Sequence, residues 1–213
     1  AENDAHIIGP KVGSSAIVFP GASGDYLSIP DSSDWDFGTG DFTIEMWMNP
    51  IYVRPSDSNT LMYAGGSTWP AAFRLVYGIA MLPIIQLEGT YYNFTGATIH
   101  KNTWQHLAAS REGTNLRCFF NGVLMDTHTV STDIQNSGAL YIGKRGDTTA
   151  DNAYDYMDEI RISNSARYTA NFTPDTTEFS NDANTKLLIH SNAAMGSTTF
   201  TDSSSGAHTI TAN

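Results

Sequence analysis

Paired carboxylates are the first chemistry to look for in this sequence. A glycoside hydrolase needs two carboxyl groups that face each other across a groove, and alternate acids on a strand would point to one face. Glu45 has Thr43 and Trp47 as its neighbours on that face, so it has no acidic partner there. Asp158 and Glu159 are adjacent, and on a strand they would point to opposite faces. The pattern does not favour a hydrolase or lyase, and we predict that the chain is not an enzyme.

The other reactive residue types are scattered along the chain. The six histidines form no metal-ligand spacing such as His-x-x-x-His, and the single cysteine, Cys118, lies in a hydrophobic run. No Gly-x-Ser-x-Gly motif for an activated serine occurs. These residues predict neither a zinc site nor a nucleophile, and Cys118 is interpreted as a small buried apolar side chain.

Exposed aromatic rings beside amide and acid groups would suit a sugar, because rings stack on sugar faces while polar groups bind the hydroxyls. The candidates for ligand contact lie in or beside predicted loops: Trp69, Tyr91, Tyr92, Tyr154 and Tyr156. The same rings would also serve as anchors in a protein interface. The aromatic residues therefore leave a sugar and a protein partner open.

The hydrophobic pattern that must position these residues has a period of two. Phe42, Ile44, Met46 and Met48 share one face of a predicted strand, and Asn121–Gly122 predicts a type I′ hairpin turn. Turn signals recur about every ten to twelve residues, which is typical of a β-sandwich or jelly roll. Further strands are predicted at 61–63, 73–77, 84–87, 104–110, 116–120, 123–126, 139–143, 157–163, 186–191 and 198–201.

Composition limits both the size of the fold and its partners. An all-β chain of 213 residues with 40% hydrophobic residues can bury a sufficient core without a disulfide bond or a structural metal ion. Residues 1–213 are therefore predicted to form one domain. The net charge of −11 argues against nucleic acid. Since no apolar run approaches the length of a membrane span, membrane insertion is not expected.

A helical turn is predicted near 165–168, and a long surface connection at 172–184.

Four segments resemble the laminin-G-like (concanavalin A-like, pentraxin-related) jelly roll. They follow one another as GDYLSIPDSSDWDFGTGDFTIEMWMNP, WQHLAASREGTNLRCFFNGVLM, ALYIGKRG and YMDEIRISNSARY. The resemblance covers nearly the whole chain, and the closest variety is the one frequent in phage virion proteins. It implies an all-β sandwich of two antiparallel sheets, often a structural calcium ion, and binding of glycans or proteins rather than catalysis.

The resemblance also suggests where Ca²⁺ would bind. In similar domains the Asp of the GDY turn and the Asp of DEIRI often lie near the ion, which suggests Asp25 and Asp158 here. Pro20 stands where such domains commonly have Asp, and proline offers a carbonyl but no carboxylate. The alternative is that Asp25 serves the geometry of its turn and that Asp158 binds nearby backbone amides.

The C-terminal residues are unusual within this resemblance. In typical members, a stretch similar to residues 185–213 stands before the first strand, and here it follows the last. We predict that strands from about 185–213 complete the sheet begun by the first strands, because the termini of a domain usually lie close together. The alternative is that they are the truncated start of a second repeat.

The predicted function is that of a non-enzymatic protein on the virion surface, as a capsid decoration, head-fibre or tail-associated module in particle assembly or host-surface adhesion. Its partners would be capsid or tail proteins, surface glycans, or both. The alternative is a secreted or displayed carbohydrate-binding module of an extracellular adhesin, and a polysaccharide-active enzyme is the third possibility. A homo-oligomer is left open, because an exposed edge strand can pair with another copy.

Overall fold

The chain folds as a β-sandwich. A computed structural model describes residues 9–53, 57–67, 69–78 and 80–213, in which two seven-stranded antiparallel sheets stack face to face. The predicted all-β jelly roll is confirmed. Helical structure in these ranges is limited to a short 3-10 helix, Ser33–Trp35, and no helix there is long and apolar enough to cross a membrane.

The first sheet has the strand order β1-β12-β3-β8-β9-β10, with β13 beside β12. Its strands are β1 (Ile17–Pro20), β3 (Phe42–Pro50), β8 (Gln105–Glu112), β9 (Asn115–Phe120), β10 (Val123–Thr129), β12 (Tyr154–Ser163) and β13 (Thr185–Ile189). Strand β12 pairs with β3 along one edge. Along its other edge, residues 154–157 pair with β1 and residues 160–163 pair with β13, so that β1 and β13 lie end to end.

The second sheet has the strand order β14-β2-β11-β4-β5-β6-β7. Its strands are β2 (Leu27–Ile29), β4 (Asn59–Ala64), β5 (Phe73–Tyr77), β6 (Pro83–Leu87), β7 (Thr90–Asn93), β11 (Leu140–Ile142) and β14 (Thr211–Ala212). Residues 185–213 thus add a strand to each sheet, since β13 pairs with β12 and β14 pairs with β2.

The structure corrects three local predictions. Residues 198–201 form no strand, and the last strand is the two-residue β14. Tyr91 and Tyr92, expected in or beside a loop, lie within β7. The prediction of a helical turn near 165–168 is also wrong, because backbone groups there bond to side chains of the first sheet. The Arg167 amide donates to Thr43 Oγ1, and the Tyr168 amide donates to Ser110 Oγ.

The apolar core lies between the sheets, as the period-two pattern predicts. Phe42, Ile44, Met46 and Met48 of β3 are fully buried in it, and burying a side chain of this size contributes about 1.5–3 kcal/mol. The Asn121–Gly122 turn is confirmed, with positive φ at both residues. Cys118 is buried, as interpreted, and burial raises the pKa of its thiol well above the ordinary range.

Part of the outer face of the first sheet is also covered. Residues 164–184, which we call the strap, run across it and place Phe179 against Trp47 and Leu188. Within the strap the rings of Tyr168 and Phe172 stack at 3.6 Å between centroids. The connection predicted at 172–184 is therefore partly a packed element, since Phe179 is only 2% exposed.

Under the strap, Glu45 is the centre of a buried ion cluster. Arg161 Nε and Nη2 lie 2.8 and 2.6 Å from Glu45 Oε1. Tyr168 donates its hydroxyl to Oε2 at 2.7 Å, and His106 Nε2 lies 3.2 Å from the same oxygen. Burial opposes ionisation, but these partners outweigh it and hold the pKa of Glu45 below its ordinary value. Glu45 is a structural anchor in the described chain, closed off from any substrate.

Asp155 is a second buried acid, and it lies between the sheets. The Tyr77 hydroxyl donates to its Oδ1 at 2.9 Å, while its Oδ2 has no hydrogen-bond partner among the residues the structure describes. Burial raises the pKa of this carboxyl to about 7, against the opposite effect of the Tyr77 hydrogen bond. The folded protein therefore favours the protonated form of Asp155.

The substitution Asp155→Asn is expected to raise stability at pH 8 and to leave it nearly unchanged at pH 4. A raised folded-state pKa gives stability that is complete below the unfolded pKa of about 3.9 and is lost as pH rises through about 7. The difference is at most about 4 kcal/mol. Urea unfolding of both proteins between pH 4 and pH 8 measures it. A difference that does not change with pH would show that Asp155 is not protonated in the fold.

Candidate functional site

The outer face of the second sheet carries a row of polar and aromatic residues. Each Cα in the row is the register partner of the next, in the order Ser28, Tyr141, Tyr63, Arg74, Gln86 and Tyr91. We call these residues the polar row. Because neighbouring strands are about 4.8 Å apart, the row spans about 24 Å across six strands.

The local sequence explains why the row faces outward. In β5, Phe73, Leu75 and Tyr77 point into the core, so Arg74 between them must point away from it. Gln86 stands between the core residues Ile85 and Leu87 in the same way. A single polar residue inside an apolar strand indicates a side chain that points away from the core. The predictions from the sequence did not include Arg74 or Gln86, although both carry this signal.

Two arginines and two aspartates are paired over the middle of the row. Arg145 Nε and Nη2 lie 2.6 and 2.9 Å from the two oxygens of Asp147, and Arg145 Nη1 lies 2.8 Å from Asp151 Oδ2. Arg74 Nη2 lies 3.1 Å from the same Asp151 oxygen. The Tyr63 hydroxyl donates to Asp147. The network fixes both guanidinium groups over β4 and β5.

The electrostatics of this network suit binding rather than proton transfer. Burial acts to raise the pKa of Asp147, yet the hydrogen bonds and charge of Arg145 lower it overall. The same pairing raises the pKa of Arg145. A general acid for glycoside hydrolysis needs a raised pKa, so Asp147 is unsuited to that role. Asp147 and Arg145 therefore both stay charged throughout the neutral pH range.

Trp69 lies over this network on the β4–β5 loop. Trp69 is 45% exposed, and the Arg145 guanidinium carbon lies 4.7 Å from its ring centroid, which is a cation–π contact. Glycine allows the β4–β5 loop to meet the loop after β11, which carries Arg145. A Cβ at Gly146 would stand only 1.8 Å from the Gly66 carbonyl oxygen. Any larger residue at position 146 would push the loop of Arg145 away from the loop of Trp69.

Gln86 is a polar side chain without a partner. It is fully buried between Arg74 and Tyr91, and neither its amide oxygen nor its amide nitrogen has a hydrogen-bond partner among the described residues. A buried amide left unpaired costs about 1–3 kcal/mol. Tyr91 beside it is 54% exposed.

The predicted aromatic candidates do not form one site. Trp69 and Tyr91 lie on the outer face of the second sheet. Tyr92 points to the other side of β7 and packs on the core, and its ring centroid lies 5.2 Å from that of His128. Tyr154 and Tyr156 lie on the outer face of the first sheet, where Tyr156 lines an apolar groove beside β1. The rings that share a surface with fixed charges are therefore Trp69 and Tyr91.

The residues suggested for calcium do not belong to a carboxylate cluster among the described residues. Both oxygens of Asp158 accept backbone amides, Oδ2 from Lys11 and Val12 at 3.1 and 3.0 Å and Oδ1 from Glu159 at 2.9 Å. Asp25 lies in its turn, with its amide donating to the Ala22 carbonyl. Throughout the described ranges, no group of three or more His, Cys, Asp or Glu side chains is placed to hold a metal. These two side chains do not fit a calcium site, so the ion that the resemblance implies would need other ligands.

Comparison with known proteins identifies the family. Residues 21–171 match a laminin-G family model described as the concanavalin A-like lectin/glucanases superfamily. The chain belongs to this superfamily. A comparison with curated protein sequences finds no significant match. The fold is that of lectins and carbohydrate-binding modules of the concanavalin A-like superfamily.

Solved structures of the same fold extend the comparison. A candidate carbohydrate-binding protein from Bacteroides ovatus is 18% identical with a TM-score of 0.63, over 94% of this chain and 60% of its own. A heptameric SAP-like pentraxin from Limulus polyphemus is 15% identical with a TM-score of 0.56, over 72% of this chain and 77% of its own. The CBM40 of a Ruminococcus gnavus IT-sialidase, bound to α2,3-sialyllactose, is 13% identical with a TM-score of 0.55, over 75% of this chain and 95% of its own.

Calcium is tested by melting the purified protein in EDTA and in millimolar CaCl₂. Because Asp158 already binds three amides, we expect the two melting temperatures to agree within about 1 °C. A ligand at 100 times its Kd would add about 2.7 kcal/mol to the stability. A clear rise in CaCl₂, absent in MgCl₂, would establish a calcium site that these carboxylates do not explain.

Proposed function

We propose that the protein binds carbohydrate, without catalysis, at Trp69, Tyr91 and the ion network beside them. The observation that carries the proposal is the combination of two half-exposed rings and a fixed ion network on one sheet face. Rings of this kind stack on sugar faces, and Arg, Asp and amide groups bind hydroxyls. Membership of a lectin superfamily supports the same choice.

The network favours a small polar ligand over a large protein partner. Arg145 and Arg74 are already held by Asp147 and Asp151, so little side-chain entropy is lost when a ligand binds to them. The hydroxyl groups of a sugar can both donate and accept, which suits a surface that offers guanidinium and carboxylate groups side by side. The centre of a protein interface is instead depleted of carboxylates.

The substitutions Trp69→Ala and Tyr91→Ala are expected to weaken glycan binding by about tenfold each, which corresponds to about 1.4 kcal/mol for the loss of one stacked ring. Tyr52→Ala is the matched control, because Tyr52 is 44% exposed and lies outside the row. A glycan array finds the bound sugars, and calorimetry on the best of them measures the affinities.

Two results would contradict the proposal. If Tyr156→Ala removes binding while Trp69→Ala and Tyr91→Ala retain it, the site lies on the first sheet. If the array gives no specific signal at millimolar ligand while the protein is folded, carbohydrate binding is not its function. Circular dichroism and melting of each variant separate a lost contact from a lost fold.

We further propose that the protein is displayed on a virion, as capsid decoration, head fibre or tail-associated module. The resemblance to the phage variety of this domain supports this proposal, and display on an extracellular adhesin is the alternative. Mass spectrometry of purified particles from the source that encodes the chain tests it. A stoichiometric amount in particles is expected, and its presence only in the culture medium would favour the adhesin.

A further inference from the structure

The outer edge of β1 carries backbone groups without a partner. The Tyr154 carbonyl of β12 accepts the Ile51 amide, so it points toward the side of β3. Because such groups alternate along an antiparallel strand, Tyr156 also bonds to β3, whereas Asp155 bonds to β1. Val18 is the register partner of Tyr156, and it therefore turns its N–H and its carbonyl away from β12. Neither group has a hydrogen-bond partner among the described residues.

A proline on the same strand agrees with this orientation. Pro20 lies two residues after Val18, so its backbone nitrogen faces the same free edge. Proline cannot donate to a ladder and is found in strands where the N–H side faces away from the partner strand. A proline at position 18 would therefore leave the pairing of β1 with β12 intact.

The apolar groove beside β1 runs along this free edge and has a volume of about 670 Å³. One wall consists of residues 14–18 with Tyr156, and the other consists of Ser191, residues 193–197 and Phe200. The walls are joined at one end, because the Ser15 hydroxyl accepts the Ala193 amide at 3.1 Å. None of the described residues that line the groove carries a charge.

Both walls of the groove expose apolar side chains. Val18 is 50% exposed, and Met195 on the opposite wall is fully exposed. Edge strands are usually protected from further pairing by a charge, a bulge or a covering segment. The edge strand β10 has such protection, with Asp126 and a register shift between Leu124 and Asp126. Strand β1 has no charged residue and a regular register, so its edge is open to another strand.

The second wall decides what kind of strand can enter. Residues 193–197 stand across the groove from Val18, so the edge of another folded sheet would meet them before it reached β1. A single extended peptide is narrow enough, because one strand takes up about 4.8 Å in the hydrogen-bonding direction. Strand β1 has four residues. At about 3.3 Å per residue, the paired part of the peptide would be about four or five residues long.

We propose that the groove binds an extended peptide segment of another protein, which adds as a strand to the free edge of β1. One residue of the peptide exchanges both of its main-chain hydrogen bonds with Val18, and its side chain lies on the same face as that of Val18. The uncharged lining selects apolar side chains at this position and at alternate positions beside it. The net charge of −11 favours basic residues outside the paired segment. This site is separate from Trp69 and Tyr91, and it adds a protein partner to the proposed carbohydrate binding.

The first experiment selects ligands from a library of random peptides, each about three times as long as β1, on the whole protein. Counter-selection on Val18→Pro removes peptides that bind elsewhere. The enriched peptides are expected to contain about five uncharged residues with apolar side chains at alternate positions, and basic residues outside them. If the protein enriches no peptide that Val18→Pro fails to bind, the proposal is overturned, whereas carbohydrate binding is unaffected.

The second experiment measures the affinity of the best peptide by fluorescence anisotropy. Val18→Pro should weaken it about tenfold, which corresponds to about 1.4 kcal/mol, because the free N–H is lost. Val18→Ala should weaken it about threefold through the loss of apolar contact. Val123→Ala is the matched control, since Val123 is 51% exposed on the edge strand β10, and it should bind as the unchanged protein does. Equal losses for Val18→Ala and Val123→Ala would place the peptide outside the groove.

The third experiment changes only the peptide, so that it does not depend on the folding of a variant. N-methylation of the residue opposite Val18 removes a donor to β1, whereas the N–H of the next residue faces away from β1. Affinity should therefore fall about tenfold at alternate positions only. Equal losses at successive positions would overturn strand addition. Sedimentation velocity of the protein alone tests another occupant, because a dimer that Val18→Pro dissociates would show that a second copy fills the groove and would overturn the peptide.

Discussion

The buried pairing of Arg161 with Glu45 determines which surfaces of this sandwich remain available. It joins β12 to β3 and, through the Tyr168 hydroxyl, holds the strap against the first sheet. Removing one partner of such a pair would leave an uncompensated buried charge, which costs about 3–5 kcal/mol. The aromatic side chains of the strap depend on this anchor, since Phe179 packs on Arg161 as well as on Trp47.

The strap covers part of the first sheet, and the middle of the second sheet is covered as well. The strands of the second sheet bury alternate residues in the core and turn a row of polar residues to the other side, where Tyr63, Arg74 and Gln86 are at most 3% exposed. The loops that follow β4 and β11 meet at Gly66 and Gly146 and bring Trp69 and Arg145 together above that row. Both outer faces are therefore partly covered, and the half-exposed rings of the second sheet's face are those of Trp69 and Tyr91.

Alternation along single strands was predictable from the sequence, and contacts between distant segments were not. The pattern of Phe42, Ile44 and Met46 identified both faces of β3, but it could not indicate that Phe179 would cover the outer one. Tyr91 and Tyr92 show the same limit, because the hairpin that makes them a strand places them on opposite sides of the sheet. The partners Arg74 and Asp151 are 77 residues apart, so no local pattern joins them.

The exposure of Trp69 and Tyr91 has a consequence for affinity. A ligand stacked on two half-exposed rings leaves one of its sides in water, so each copy of the site is expected to bind weakly even though the charged groups beside the rings are already in position. Weak sites gain strength when many copies act together, because the second binding event is then intramolecular. Display in many copies, on a particle or in an oligomer, is thus the setting in which this face would hold a glycan-coated surface firmly. Glycan binding and surface display support each other physically, although each is tested by a separate experiment.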